Sequence, residues 1–277
     1  MRSRFVISLL AGIVALPLAA AAQGKRKADE KTPPHAAGHT QITWYGHSAF
    51  VVRTPGGTVF AIDPWFQNPK TPDKAAGAKL DKVDFILVSH GHADHVGEAI
   101  ALAKRTGAKL VASSGLGRTL VSEGFPEAQA GLDTLGNAGG QIQAGDATVI
   151  LVNAIHGSDV TGADKAQHSG GNPVGFVIKV KGGPTLYHTG DTDVTMDMKL
   201  IPERYGPVDV MLACIGGHFT MDPAGAALAA SYVQAKTVVP MHFQTNPVLT
   251  GTPAQLEAAL AGRARVMVLE PGKPSEL

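Results

Sequence analysis

His90-Gly91-His92-Ala93-Asp94-His95 sets three imidazoles and a carboxylate within six residues, directly after the apolar run Phe85-Ile86-Leu87-Val88. Imidazole nitrogen and carboxylate oxygen are the donors that suit a borderline divalent ion such as zinc. Side chains this close in sequence cannot all share one helix face, so the spacing predicts a turn between a strand and a helix. The bland alternative for such a run is a solvated polar loop. Further donors lie along the chain. His47, His156 and His242 each come where an apolar, strand-like run stops, and Asp191 follows Leu186-Tyr187-His188. A lone histidine at a strand end is more often hydrogen-bonded than ligating. Several at the same end of successive strands point to a shared crevice, because the loops of α/β sheets converge there.

The elements that must carry these donors are short. From Gln41 onward, the pattern predicts strands over 42–45, 50–53, 59–62, 85–88 and 109–112 and a helix over 96–104. The order then recurs. Phe50-Val51-Val52 with Gly56-Gly57 is echoed by Phe176-Val177-Ile178 with Gly182-Gly183, Asp63 by Asp191, and Val83-Asp84 by Val208-Asp209. Gly91-His92 is echoed by Gly217-His218 and Ala108-Lys109 by Ala235-Lys236. Chance recurrence of common dipeptides is the competing explanation. A duplication predicts an α/β fold of two related halves, sheets stacked face to face, helices outside, and loops from both halves at one edge. It also pairs His47 with His156 and His92 with His218. Residues 157–173, rich in Gly, Ser, Asp and Asn, have no counterpart in the first half and read as an insertion covering the substrate.

Around this domain, 41–277, the sequence has two further parts. Arg2 and Arg4 precede an apolar run ending in Ala20-Ala21-Ala22-Gln23, the pattern of a secretory signal peptide over 1–22, with a membrane anchor as the alternative. Residues 23–40, with Lys31-Thr32-Pro33-Pro34, read as a flexible tether. Export to the periplasm or beyond, without a stable membrane anchor, is therefore expected. Without Arg2 and Arg4 the balance is 22 basic residues against 23 acidic, which argues against nucleic acid as a partner and for a small-molecule substrate. Oligomeric state is left open, a homo-oligomer included. Cys214 is the only cysteine and cannot form an internal disulfide, so the fold must rest on packing and metal. It reads as a buried strand thiol. His188 reads as a packed strand residue, and His168 as part of a polar loop bordering the cleft.

His90-x-His92-x-Asp94-His95, then His156, Gly190-Asp191 and His242, resembles the metal-ligand order of the metallo-β-lactamase superfamily over nearly the whole chain after the tether. Gly46-His47-Ser48-Ala49-Phe50, Ile62-Asp63-Pro64, Met198-Lys199-Leu200-Ile201 and Gly216-Gly217-His218-Phe219-Thr220-Met221 are similar to a branch described as metal-dependent hydrolases, related to ascorbate-phosphate lactonases. The resemblance implies a four-layer αββα sandwich of two stacked mixed sheets. It implies two metal ions, zinc first with manganese or iron as alternatives. His90, His92 and His156 would hold one, Asp94, His95 and His242 the other, with Asp191 bridging. Such a pair activates water as a nucleophile near neutral pH. Asp94 would also orient that water, and His47 and His218 are candidates for substrate contact or oxyanion stabilisation. Asp63 would either fix the tautomer of a ligand imidazole or cap the turn before Pro64. The reaction implied is hydrolysis of a small ester, lactone or phosphoester. A β-lactam hydrolase, an iron-dependent redox enzyme and a non-catalytic metal-binding domain are the alternatives.

Overall fold

Alternation within the short strands dictates the layering. In Phe50-Val51-Val52, Phe50 and Val52 join one buried cluster while Val51 joins another, and Phe60 and Ile62 part from Val59 and Ala61 in the same way. Both faces of this sheet are therefore apolar and must be covered. The computed structural model describes residues 38–277. The signal peptide expected over 1–22 and most of the tether expected over 23–40 lie outside the described residues. Thr40 is buried and its carbonyl accepts the N–H of Leu277.

The first sheet holds β1 (Gln41–Trp44), β2 (Phe50–Arg53), β3 (Val59–Ile62), β4 (Phe85–Leu87), β5 (Lys109–Ser113) and β6 (Leu135–Gly136) in sequence order. The second holds β7 (Gln141–Ala144) and β8 (Ala147–Asn153). A separate hairpin of β9 (Asp159–Thr161) and β10 (Gln167–Ser169) follows. The second sheet then continues through β11 (Val174–Val180), β12 (Thr185–His188), β13 (Val210–Cys214), β14 (Thr237–Met241) and β15 (Arg265–Val266). A last strand, β16 (Pro274–Glu276), crosses back to pair antiparallel with β1 and makes the first sheet seven-stranded as well. One core cluster combines Ile42, Phe50, Phe60, Leu87 and Val111 of the first sheet with Val149, Leu151, Phe176, Ile178 and Leu212 of the second, so the sheets stack face to face. The outer face of the first sheet packs on α2 (Ala99–Thr106) and α3 (Ser114–Ser122), through Leu102, Ala103, Leu116 and Leu120. In the second half Ala226, Ala230, Leu256 and Leu260, from α5 (Pro223–Tyr232) and α6 (Pro253–Leu260), join the core. This is the α/β four-layer arrangement expected.

The two halves repeat strand by strand. The set β1-β2-β3 is antiparallel and β3 to β6 are parallel, and β8-β11-β12 and β12 to β15 follow the same plan. Phe50 pairs with Ile62 as Phe176 pairs with His188. The next amide, of Asp63 or Thr189, bonds to the carbonyl of Leu87 or Leu212. By this register Asp63 corresponds to Thr189. The sequence echo between Asp63 and Asp191 is thus a match of residue type displaced by two positions.

One expected helix is divided. The apolar pattern predicts one helix over 96–104, but α1 (Ala93–Val96) stops at Gly97 and α2 begins at Ala99. Gly97 adopts φ +43°, and a Cβ there would stand 2.5 Å from the Pro64 carbonyl oxygen and from Trp65 Cα. Only glycine lets the Pro64-Trp65 segment cross so close. The Glu98 N–H donates to that same Pro64 carbonyl.

Candidate metal centre

The donors expected of the site arrive at one edge, where the strands of both sheets end, and of them only His218, in the turn after β13, stays outside the cluster. His90, His92, Asp94 and His95 occupy the turn after β4 and the start of α1, His156 follows β8, Asp191 follows β12, and His242 follows β14. His47 joins them from the turn after β1. The ligating atoms of His90, His92 and His156 lie within 4.8 Å of one another. So do those of His90, His95 and Asp191, and those of His47, Asp94, His95 and His242.

Asp191 is the centre of the arrangement. Its Oδ2 stands 2.9 Å from His242 Nε2, 3.3 Å from His95 Nε2 and 3.6 Å from His156 Nε2. Nearby, His90 Nε2 is 3.0 Å from His92 Nδ1. Donors bonded at about 2.0–2.1 Å to one tetrahedral ion lie roughly 3.3 Å apart, so these separations are those of a ligand shell. Two buried atoms support the same fit. His95 Nε2 and Asp191 Oδ1 have no hydrogen-bond partner, although buried polar atoms ordinarily have one.

The electrostatics ask for a cation. Burial opposes charge on His95, yet Asp191 and Asp63, one on each side, outweigh it and hold its pKa well above the usual range. Burial also disfavours the Asp191 carboxylate, but His242 and His95 more than offset this and its pKa falls. Burial, aided by the neighbouring His95, pushes His90 well down. His156 is lowered chiefly by burial. His90 and His156 are thereby kept neutral, while the positive charge that Asp191 and Asp63 favour at His95 is charge that a divalent ion would supply in place of a proton.

Hydrogen bonds behind the cluster fix its tautomers. Asp63, fully buried, accepts from the Ser89 N–H at 2.8 Å, the Ser89 hydroxyl at 2.7 Å and His95 Nδ1 at 2.8 Å. With its proton given to Asp63, Ser89 Oγ accepts from His90 Nδ1 at 2.9 Å. One carboxylate and one hydroxyl thereby hold a proton on Nδ1 of both His90 and His95, so Nε2 is the atom each ring would offer to a metal. Asp63 does what was expected of it toward a ligand imidazole, and its carbonyl also accepts the Trp65 N–H in the turn.

His47 is buried and set between Thr245 Oγ1, 2.6 Å from its Nδ1, and Asp94 Oδ2, 3.1 Å from its Nε2. Burial drops its pKa to about 4, so the ring is neutral. The threonine hydroxyl then donates to Nδ1, and Nε2–H donates to the carboxylate. Asp94 is itself held well below the usual carboxylate range: burial works against this, and the His47 hydrogen bond and neighbouring imidazoles prevail.

A cavity of about 340 Å³ opens on the cluster. His47, His92, Asp94, His156, Asp191 and His242 contribute to its lining, with Trp65, Phe219, Thr245, Asn246 and Leu249 completing it. His218, expected near the metals, is not among these residues. Gly217 at φ +69° and His218 at φ +50° turn the chain in two successive left-handed steps, leaving the His218 ring exposed and edge-on to Phe219. The motif therefore presents its phenylalanine to the cavity. Ser89, Trp65 and Thr245 were not singled out in the sequence. Their signal was adjacency, one residue before His90, two after Asp63 and three after His242.

The 157–173 insertion does not cover the cavity, since none of its residues line it. Its β9-β10 hairpin packs against the metal-binding turn from outside. Ser158 Oγ accepts the Gly91 N–H and donates to the Gly170 carbonyl, Val160 is buried, and Thr119 of α3 donates to the Ser169 carbonyl. A Cβ at Gly91 would lie 2.6 Å from the Ser158 carbonyl oxygen and 2.7 Å from Val160 Cγ2. His168 sits on this hairpin, near Asp164 and Glu123. His188 is buried, taking the Gly190 N–H on Nδ1 and donating from Nε2 to the Ser48 carbonyl. Cys214 is buried in β13, and burial pushes its thiol up to about 11. Both match their expected structural roles.

Residues 58–243 match the family model of the beta-lactamase superfamily domain. Over 242 residues the chain is 66% identical to a UPF0173 metal-dependent hydrolase of Anaeromyxobacter dehalogenans strain 2CP-1, covering 87% of this chain and 88% of the relative. A UPF0173 metal-dependent hydrolase of Thermodesulfovibrio yellowstonii is 48% identical over 235 residues, or 83% and 88% of the two chains. Among solved structures, Igni18, a metallo hydrolase of the hyperthermophilic archaeon Ignicoccus hospitalis, aligns with a TM-score of 0.73 at 34% identity, over 87% of this chain and 99% of that one. The stacked duplicated sheets, the donor cluster at their shared edge and these likenesses agree: the chain belongs to the beta-lactamase superfamily, with the metallo-β-lactamase fold, among the UPF0173 metal-dependent hydrolases.

Proposed function

We propose that the protein hydrolyses a small ester, lactone or phosphoester with two divalent ions, zinc by preference. His90, His92 and His156 would hold one ion, and Asp94, His95 and His242 the other. The observation that carries this reading is the position of Asp191 Oδ2, within 3.6 Å of imidazole nitrogens from both sets. When bound, such a pair supplies an electrophile for the reacting oxygen and lowers the pKa of water toward neutrality. The residues themselves orient. Asp63 and Ser89 hold the rings of His90 and His95, and the neutral His47, anchored by Thr245, holds Asp94 at Oδ2. Asp94, only partly buried, can accept a hydrogen bond from the attacking water and align it.

The test is metal content and turnover together. Purified protein is expected to carry close to two equivalents of zinc, and chelation should abolish hydrolysis of whichever ester, lactone, thioester or phosphodiester it accepts. Chelator-insensitive turnover would overturn the reading. Preference for a β-lactam over every other class would move it to drug hydrolysis. We also propose export, which rests on the composition of residues 1–22. Protein recovered from the periplasm should begin at Gln23; an intact Met1 on cytosolic protein would contradict it.

A further inference from the structure

Among the described residues, those lining the cavity include no lysine and no arginine. Apart from the donor cluster, its walls are an indole, a phenyl ring, an isobutyl group, an amide and a hydroxyl, from Trp65, Phe219, Leu249, Asn246 and Thr245. The Thr245 hydroxyl is already committed to His47. Phe219 is 55% exposed, and two left-handed residues before it set its place in the turn. Ile155 and Val248, which precede the lining residues His156 and Leu249, are exposed as well. Isolated apolar side chains on a surface mean little, but the exposed Phe219 is itself part of the cavity wall.

A phosphate or carboxylate remote from the reacting bond is ordinarily recognised by arginine, lysine or free amides at a helix N-terminus. Among the described residues, this cavity has no such side chain in its lining. Helix α5, which follows Phe219 in the chain, has its N-terminal Gly225 N–H taken by the Asp222 carboxylate, placing negative charge where an anion would bind. A volume of about 340 Å³ lies at the small end of ligand cavities.

We infer that the substrate is small and that its non-reacting part is uncharged and apolar: a neutral ester or lactone with a short alkyl or aryl group, not one bearing phosphate or carboxylate. This rests on the hydrolase reading above. In the reaction, the oxygen of water bonds to the carbonyl carbon, the acyl–oxygen bond breaks, and the departing oxygen takes a proton. Trp65, Phe219 and Leu249 contact the group attached to that carbonyl or to the departing oxygen.

The experiment compares p-nitrophenyl butyrate with mono-p-nitrophenyl succinate on the zinc-loaded full chain, with p-nitrophenyl phosphate and bis-p-nitrophenyl phosphate alongside. The butyrate should exceed the succinate and both phosphates in kcat/KM by about tenfold or more. Phe219→Lys should shrink or invert the butyrate-to-succinate ratio while metal content stays constant, because the exposed side chain supports no core packing. Equal or faster turnover of the succinate or a phosphate, or an unchanged ratio in Phe219→Lys, would overturn this inference and leave the hydrolase reading intact. No chelator-sensitive turnover of any substrate would remove both.

Discussion

Past the equivalent strands β3 and β12 the two halves each carry an aspartate, and the carboxylates face opposite ways. Asp63 turns back to Ser89 and to His95 Nδ1, on the side of the ring away from the cavity. Asp191 turns forward to His95 Nε2, so one imidazole is held between the two. Register explains the difference, since Asp63 directly follows its strand while Asp191 lies two residues beyond the equivalent Thr189. The turns after β4 and β13 diverge further: the first carries four donors, the second, Gly216 to Met221, carries none in the cluster and supplies Phe219 instead. The repeated scaffold thus fixes where side chains arrive. The loops decide whether they ligate, buttress or line the cavity.

Exchanging these roles should fail unequally. Asp191→Ala removes the carboxylate shared by three imidazoles and should cost about 10³-fold or more in kcat/KM, with loss of bound metal but retention of the far-UV circular dichroism spectrum. Asp63→Asn keeps the shape and one acceptor but weakens the hold on His95 and Ser89. Partners of this kind are worth about 10–100-fold in metal affinity or activity, which zinc competition would measure. If the two substitutions proved equally damaging, the distinction between ligand and buttress would be lost.

A third substitution acts on the turn itself. Gly91→Ala would drive a methyl group into the Ser158 carbonyl and Val160, forcing the β9-β10 hairpin away from His90 and His92. Overpacking of this kind costs about 1–3 kcal/mol, and urea denaturation should show it together with weaker metal binding. A variant with normal stability and metal affinity would mean that the hairpin is not a support for the turn.

Most of the metal centre was legible because chelation restricts spacing. His90, His92, Asp94 and His95 fit one strand-to-helix turn, and the apolar runs before them put His156 and His242 at strand ends. The fold was legible for a related reason, as alternating apolar residues recurred with the same turns in both halves. What the sequence hid depended on backbone direction. Two left-handed residues decide that Phe219 and not His218 meets the cavity, and residue types alone do not signal that conformation. The polar composition of 157–173 suggested a cover, yet one buried apolar side chain, Val160, together with the buried Ser158, fastens it to the outside of the turn. Gly97 fell inside a helical pattern because the close approach of Pro64 and Trp65 comes from residues more than thirty positions earlier.

At the opposite end of the sheets the halves remain alike, and the comparison there should give equality. Asp84 accepts the Val59 N–H at 2.8 Å and Asp209 accepts the Thr185 N–H at 2.8 Å, each closing the start of the neighbouring strand. Lysines accompany both, Lys82 beside Asp84 and Lys236 beside Asp209, but these exposed pairs add little. Asp84→Asn and Asp209→Asn should each cost about 0.5–1.5 kcal/mol in urea denaturation, by similar amounts and with activity unchanged. For Asp209 burial opposes ionisation, yet the Lys236 and Thr185 hydrogen bonds prevail and its pKa is lowered. A carboxyl group with a depressed folded-state pKa stabilises above its unfolded value, about 3.9, and that contribution is lost as pH falls through the lower folded one. Asp209→Asn should therefore lose its deficit relative to wild type below about pH 4. A deficit that persisted undiminished in acid would show that shape, and not charge, sets the worth of this carboxylate.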